Sequence, residues 1–370
     1  ADKGGHAIRQ VTPDGTIRTV AGTNVAGFNG DGPATQSQLN DPNGLYTLPD
    51  GTTYLVDLGN NRIRKLSTDG QLTTVVYDPD GIVAGRGLWV SPDETLLYYA
   101  SGNRVRRWTS DAGLTTYASG FTQLGNLDID PADGELVVAD RGGNRVYKVF
   151  EDGSKTPIAG NGTTSGGGDG QNALETGLNE VRGVFFTPEG GYLLATHDGG
   201  QIWYVDSENV INLLIDGDAE HTHAGDGTSL LTPGKKISEP RAVTLAPNGD
   251  LLITENDFGY VRYVPRLTIA DMDIDRDVDF DDIPGFVLGL EDPAAYESAF
   301  GIRAHASGDT DGDGDLDFDD IPGFVTRLGG IAVEQNARSL PEPSGWIMAG
   351  TAILSLLIRD RRALRPTALG

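Results

Sequence analysis

Residues 26 to 76 read AGFNGDGPATQSQLNDPNGLYTLPDGTTYLVDLGNNRIRKLSTDGQLTTVV. From Asn43 onward, apolar and polar residues alternate in four short runs, broken at Pro49-Asp50-Gly51, Gly59-Asn60-Asn61 and Thr68-Asp69-Gly70. A period of two bounded by Gly, Asn, Asp and Pro is the pattern of short antiparallel strands joined by tight turns. A helical reading fails because period 3.6 is absent and the chain carries 52 glycines.

The unit recurs. The third run, NNRIRKL (60 to 66), returns as GNRVRRW (102 to 108), GNRVYKVF (143 to 150), GQIWYV (200 to 205) and GYVRYV (259 to 264), and it is preceded by GGHAIRQV (4 to 11). Before each complete copy stands an apolar strand: TTYLVD, TLLYYA, ELVVAD, YLLATHD or DLLITEND. After it comes an outer one, such as QLTTVV, GLTTYASG, SKTPIAG or NVINLLIDG, with TIRTVAG (16 to 22) following the first copy. Inner strands begin near Asn43, Arg86, Asn126, Arg182 and Arg241. Four short strands per unit of about 40 residues predict β-propeller blades.

Residues 26 to 76 resemble the NHL repeat almost throughout. The resemblance implies a mainly β, NHL-type propeller over residues 1 to 266. The arginine-bearing strand occurs six times and the inner strand five. Six blades are therefore expected in the full-length protein, with the first lacking its two inner strands because the chain is truncated at its start. A five-bladed ring closed by residues 16 to 22 is the alternative.

Aligning the units on Pro49, Pro92, Pro188 and Pro247 puts Asn43, Arg86, Arg182 and Arg241 at one equivalent position. Three arginines would then ring one mouth of the propeller, where guanidinium forks suit an anion or a carbohydrate acid. The alternative is that they pair with Asp57, Asp140 or Glu255 and tie adjacent blades together. Three GDG turns (30 to 32, 168 to 170 and 225 to 227) are expected on the same face, and His221 with His223 offers a pair of imidazoles for a transition metal. PNGLYTLPDG (42 to 51) is similar to a metal-bearing strand of gluconolactonase-type propellers, which would make Asn43 a calcium ligand, although arginines at the equivalent positions oppose a cation there. No nucleophile–base arrangement is readable, and the chain has no cysteine.

The segment after the propeller is acidic in a different way. Asp309, Asp311, Asp313, Asp315, Asp317 and Asp320 alternate as in a calcium loop, and Asp271, Asp273, Asp275, Asp277, Asp279 and Asp282 repeat the pattern 38 residues earlier. The flank is duplicated too, DVDFDDIPGFVLGL (277 to 290) against DLDFDDIPGFVTRL (315 to 328). The pair resembles a dockerin, which implies a small calcium-binding α module over 267 to 330 and a cohesin-like or other surface protein as partner. Phe280-Asp281 and Phe318-Asp319 stand where cellulosomal dockerins present hydroxyl residues to cohesin, and Arg276 replaces the turn glycine of the first loop, so the first site should be the weaker. Between 271 and 330 there are seventeen acids against three arginines, a net of −14, so folding and cation binding should be coupled.

The end of the chain has its own order: a linker (331 to 344) holding Pro341-Glu342-Pro343, an apolar run (345 to 358), and a basic tail (359 to 370) with Arg359, Arg361, Arg362 and Arg365. Fourteen residues make roughly 21 Å of helix, short of the ~30 Å hydrocarbon core. The order resembles the PEP-CTERM sorting tail. This implies an exosortase-type processing enzyme as partner, transient inner-membrane insertion through 345 to 358, and a protein exported to the cell surface or extracellular matrix, its arginines held inside. Lack of cysteine removes any disulfide framework, and a net charge of −26 argues against nucleic acid and anionic membrane surfaces as partners. The function expected is a noncatalytic surface binding or scaffold protein. A calcium-dependent lactonase or glycan-active hydrolase is the alternative.

Overall fold

The computed structural model describes residues 1–336 apart from 13–14, 188–189, 218–219, 227–235, 247–248, 265–266, 276 and 301, with side chains through 328. The chain divides into two units, residues 1–225 with 234–264 and residues 226–233 with 265–370.

The first unit is a β-propeller. It begins with a two-stranded sheet, β1 (Ile8–Val11) and β2 (Ile17–Ala21). The first blade runs inside to outside as β4 (Pro42–Thr47), β5 (Thr53–Asp57), β6 (Arg62–Leu66) and β7 (Gln71–Tyr77), and the short β3 (Gly32–Pro33) adds to its rim. The second comprises β8 (Leu88–Val90), β9 (Leu96–Ser101), β10 (Arg104–Thr109) and β11 (Gly113–Ser119). The third comprises β12 (Leu124–Ile129), β13 (Leu136–Asp140), β14 (Arg145–Val149) and β15 (Lys155–Ala159). In the fourth, β16 (Gln171–Asn172) lies on the rim outside β17 (Val181–Phe186), β18 (Tyr192–Thr196), β19 (Gln201–Val205) and β20 (Val210–Asp216). The fifth has three strands, β21 (Pro240–Leu245), β22 (Leu251–Glu255) and β23 (Tyr260–Val264).

One irregularity recurs at the same place in each unit. The pairing of third with fourth strand slips at Ile63/Arg64, Val105/Arg106, Val146/Tyr147 and Ile202/Trp203, and again at Ile8/Arg9 in β1–β2. A bulge bends a strand and sharpens its twist, and its recurrence identifies β1 and β2 as the third and fourth strands of a unit. The described residues therefore form five blades and this two-stranded sheet, where the sequence predicts six blades. β2 pairs with β1 and not with β23, so residues 16 to 22 do not close a five-bladed ring.

The core lies between blades. Second strands are covered on both faces, which is why they read as unbroken apolar runs: Val56, Leu97, Val138, Leu194 and Ile253 are fully buried. Inner strands approach so closely that a side chain is excluded at two points. A Cβ on Gly44 would lie 1.8 Å from the Arg86 carbonyl oxygen, and one on Gly125 would lie 2.5 Å from that of Arg182. The GDG aspartates act at the rim: Asp31 accepts from Thr74 N (3.0 Å) and Asp169 from Leu213 N (2.8 Å), fastening each loop to an outer strand. The third GDG extends to Gly227, outside the described residues.

In the second unit, α1 (Asp282–Glu291), α2 (Pro293–Phe300) and α3 (His305–Gly308) precede a short 3-10 turn at Phe318–Asp320 that leads into α4 (Ile321–Asn336). The duplicated sequence folds into duplicated structure. Phe286 and Phe324 stack at 4.0 Å and 18°, and Met272, Val278 and Tyr296 complete a small apolar core with them. Among the described residues no helix is long and apolar enough to cross a membrane. Pro341, Glu342, Pro343, the apolar run 345–358 and the arginines after it lie outside the described residues.

Candidate ligand site at the propeller mouth

Each second strand ends in a polar residue, and in three blades this residue holds the loop that leads into the inner strand. Asp57 accepts from Asn40 N (2.8 Å), Asp140 from Thr122 N (3.0 Å) and Gln123 N (2.9 Å), and Glu255 from Ser238 N (3.0 Å). The third-strand arginines complete these nodes: Arg64 lies 3.4 Å from Asp57, and Arg262 Nε donates to Glu255 at 2.8 Å. Arg106 donates through Nη2 to Asp78 at 3.3 Å. These acids are thus occupied, and Arg86, Arg182 and Arg241 do not pair with Asp57, Asp140 or Glu255.

Those three arginines are aimed elsewhere by the backbone. Two residues before Asn43, Arg86, Arg182 and Arg241, the chain is left-handed at Asp41 (φ 51°), Ala84 (φ 47°), Glu180 (φ 54°) and Glu239 (φ 42°). Such a conformation costs on the order of 1 kcal/mol or more for a residue with a Cβ. The inner strands then slip register between Pro42 and Leu45, Val181 and Gly183, and Pro240 and Ala242, which releases residues 43, 182 and 241 from the ladder. Arg182 is 1 % exposed. It lies within electrostatic range of Arg86, Arg141 and Arg241, and Arg86 within range of Arg141 and Arg241. Burial first, then these like charges, hold Arg86 and Arg182 below the ordinary arginine range. Nε and Nη1 of both, and Nε of Arg241, are buried without a hydrogen-bond acceptor. Their nearest carboxylates are distant, Glu180 at 3.8 Å from Arg182 and Glu239 at 3.9 Å from Arg241. Asn43 occupies the corresponding place on β4, half-buried.

Arg141, Glu180, His197 and Glu239 at the mouth were not singled out in the sequence. Arg141, the residue after β13, donates through Nε to Glu180 at 2.6 Å and lies 3.2 Å from Gln123 Oε1. His197, the residue after β18, has Nδ1 2.7 Å from Asp198 and 3.3 Å from Glu180, and Nε2 2.9 Å from Glu239. His221 Nδ1 lies 3.1 Å from the other Glu239 oxygen and 3.6 Å from Asp257. Burial foremost, then Arg182, push the His197 imidazole down to about 4. The register that aligned the arginines also held the signal for the acids: Asp41, Glu180 and Glu239 each stand two residues earlier. His223 does not join His221. It contacts Glu255 (2.8 Å) and Arg262 (3.1 Å), with its ring beside Tyr260. A cleft of 530 Å³ between the second and third blades, lined in part by Asn103, Gln123 and Gly142, opens beside Arg141.

In the second unit several of the aspartates gather. Oxygens of Asp271, Asp273 and Asp282 lie within 4.8 Å of one another, as do those of Asp309, Asp311 and Asp320 and of Asp315, Asp317 and Asp320. Asp282 accepts from Asp273 N (3.1 Å) and Asp279 N (2.7 Å), and Asp320 repeats this with Asp311 N (3.2 Å) and Asp317 N (2.9 Å). Asp275 accepts from Asp277 N (3.1 Å), and Asp313 accepts from Asp315 N (3.3 Å). Carboxylate crowding raises Asp277 and Asp315, chiefly through Asp275 and Asp313, while burial is the main cause for Asp273, Asp282 and Asp311. Arg276 lies outside the described residues.

No family model matches the chain. Teneurin-3 of Mus musculus is 31 % identical over 164 residues, which is 41 % of this chain and 5 % of that protein, so the chain spans about a twentieth of the curated relative. An auxiliary nutrient binding protein from Bacteroides ovatus ATCC 8483 superposes with a TM-score of 0.51 at 13 % identity, over 70 % of this chain and 64 % of that one. A streptogramin B lyase gives 0.47 at 15 % identity, over 73 % and 80 %. The likeness is one of β-propeller fold.

Proposed function

We propose that the propeller is a noncatalytic binding module whose mouth takes an anionic ligand of the acidic-saccharide class. The observation that carries this is the gathering of Arg86, Arg141, Arg182 and Arg241 with buried N–H groups on three of them lacking acceptors. Buried polar groups in folded proteins are nearly always hydrogen-bonded, and burying like charges side by side is costly. A carboxylate in the mouth would accept from these donors and offset the repulsion between them. The adjoining cleft has room for neighbouring sugar rings. Titrating the full chain with galacturonate oligomers tests this, with Arg86, Arg182 and Arg241 replaced by Gln as the comparison.

A second reading is a lactonase or glycan-active hydrolase. It is favoured by His197, a buried imidazole set among Glu180, Asp198 and Glu239 in the same mouth. Turnover of a lactone or glycan that disappears in His197→Gln decides for it. Asn43, the calcium ligand on this reading, should also be required.

The second unit is proposed to be a dockerin-like calcium module with a surface protein as its partner. Support comes from the paired aspartate clusters and the repeated capping by Asp282 and Asp320. The Pro341-Glu342-Pro343 motif, apolar run and arginine tail support export, transient membrane insertion and exosortase-type processing, leaving the protein at the cell surface or in the extracellular matrix. Calcium titration and the intact mass of surface-derived protein test these two parts separately.

A further inference from the structure

We propose that Phe258 and Tyr260 form an aromatic platform beside the mouth that takes a neutral pyranose ring, the neighbour of the acid sugar within one saccharide. The inference rests on the saccharide reading of the arginines and adds to it a second subsite and a specificity. Phe258 and Tyr260 are 51 % and 49 % exposed, and their rings stack at 5.8 Å and 16°. The pair is held in place by His223, which contacts Glu255 at 2.8 Å and Arg262 at 3.1 Å and sets its ring 4.7 Å from that of Tyr260. The turn itself does not call for these rings. It spans residues 256–259 between β22 and β23, and its left-handed Gly259 (φ 68°) corresponds to Asn61 (φ 54°), Asn144 (φ 51°) and Gly200 (φ 66°) in the first, third and fourth blades. Counted from that residue, Phe258 stands where the others carry Asn60, Gly143 and Gly199, and Tyr260 where they carry Arg62, Arg145 and Gln201. The corresponding turn is thus built three times without an aromatic at either place. Two large rings left half in water are an apolar surface that the blade does not use, and such surfaces mark binding sites.

The same turn ties the rings to the arginines. Asn256 donates to Glu239 Oε2 at 2.6 Å, and Asp257 lies 3.6 Å from His221 and within electrostatic range of Arg241. Phe258 is the next residue, so the aromatic surface starts one residue from the mouth. A pyranose ring carries a face of C–H groups between its hydroxyls, and that face packs on an aromatic surface while the hydroxyls stay in water. Asp257 and Glu239 bring two carboxylates to this side of the mouth, and they would repel a second uronate. The ring on the platform is therefore a neutral one, while the carboxylate of the acid sugar stays with the guanidiniums.

The test is isothermal titration of the full chain with galacturonate, with disaccharides of galacturonate and a neutral hexose in both orders of linkage, and with digalacturonate. The better of the two mixed disaccharides should bind roughly 10-fold more tightly than either galacturonate or digalacturonate. Phe258→Asn and Tyr260→Gln copy Asn60 and Gln201 of the other blades, so the turn is kept. Each should remove most of that gain and leave the affinity for galacturonate unchanged, whereas Phe258→Trp should preserve it. If Tyr260→Gln fails to fold, Phe258→Asn in the exposed turn carries the comparison. Equal binding of galacturonate and both mixed disaccharides, or a gain that survives in the variants, would overturn the platform and leave the arginine site standing. Digalacturonate bound as tightly as the better mixed disaccharide would overturn the preference for a neutral ring. Binding of none of these sugars would overturn the saccharide reading and the platform with it.

Discussion

Arg64 and Arg182 are buried to the same extent, 0 % and 1 % exposed, yet replacing them by Gln should have opposite consequences. Arg64 lies 3.4 Å from Asp57, itself fully buried, and 3.3 Å from Asp31. Removing it strands a buried carboxylate, a loss of about 3–5 kcal/mol. For a unit of this size each kcal/mol moves Tm by about 2–4 °C, so Arg64→Gln should melt roughly 6–20 °C lower. Arg182 has only Glu180 at 3.8 Å, and Arg141 already holds that acid through a 2.6 Å hydrogen bond. Its removal also relieves repulsion with Arg86, Arg141 and Arg241. Arg182→Gln should therefore change Tm by no more than about 4 °C in the unfavourable direction, and an increase is consistent with the geometry. Affinity for an acidic saccharide should fall by 1.5–3 kcal/mol per lost charged hydrogen bond, about 10- to 150-fold. Scanning calorimetry and isothermal titration on the same preparations read both quantities. If Arg182→Gln loses as much stability as Arg64→Gln while ligand affinity stays put, the arginine is a structural tie between blades and the reasoning fails.

Other expectations follow from other parts of the molecule. Burial lifts the Asp128 carboxyl to about 6 from 3.8 in the unfolded chain. The folded state then keeps a proton that the unfolded state has released, so stability should fall as pH rises from about 4 to about 6 and stay lower above that. Asp128→Asn should flatten that slope; Ile129 N and Phe186 N donate to different oxygens of the carboxylate, so the amide keeps only one of these hydrogen bonds and the gain at pH 7 in denaturant melts should stay below roughly 3 kcal/mol. Calcium titration of the full chain should find two sites. Asp320→Asn should abolish one of them and Asp282→Asn the other, and an unchanged stoichiometry in either variant would count against the loops as calcium sites. Intact-mass measurement of surface-derived protein should show the C-terminus lost near Pro341 to Pro343, whereas a mass including Gly370 would contradict processing.

The blades were legible because their physics is local. Alternation, turn glycines and the repeated third strand fix the sheets one at a time, and even the bulge follows the repeated Ile-Arg or Val-Arg pair in three of the units. Aligning on the turn prolines put Arg86, Arg182 and Arg241 at one equivalent position, because inner-strand register is counted from that turn, and the three lie within electrostatic range of one another. The remainder of the site depends on closure in space. Arg141 and His197 each follow a second strand, in blades whose other copies carry Leu58 or Asn256 there, so no repeat marks them. His221 and His223 are two apart in sequence, but Glu255 and Arg262 hold the second imidazole away. The ring count was the least local feature: the pairing of β1 with β2 rather than with β23 is set by the whole arc of blades, not by either strand.

The most direct test of the account is isothermal titration of the full chain with a galacturonate oligomer and, in parallel, its fully methyl-esterified counterpart. The two share sugar, linkage and length and differ only in charge. An arginine-lined mouth predicts binding of the acid form, weakened by added salt, and little or no binding of the ester. Equal binding of both, or of neither, would contradict the claim that the propeller mouth recognises an anion.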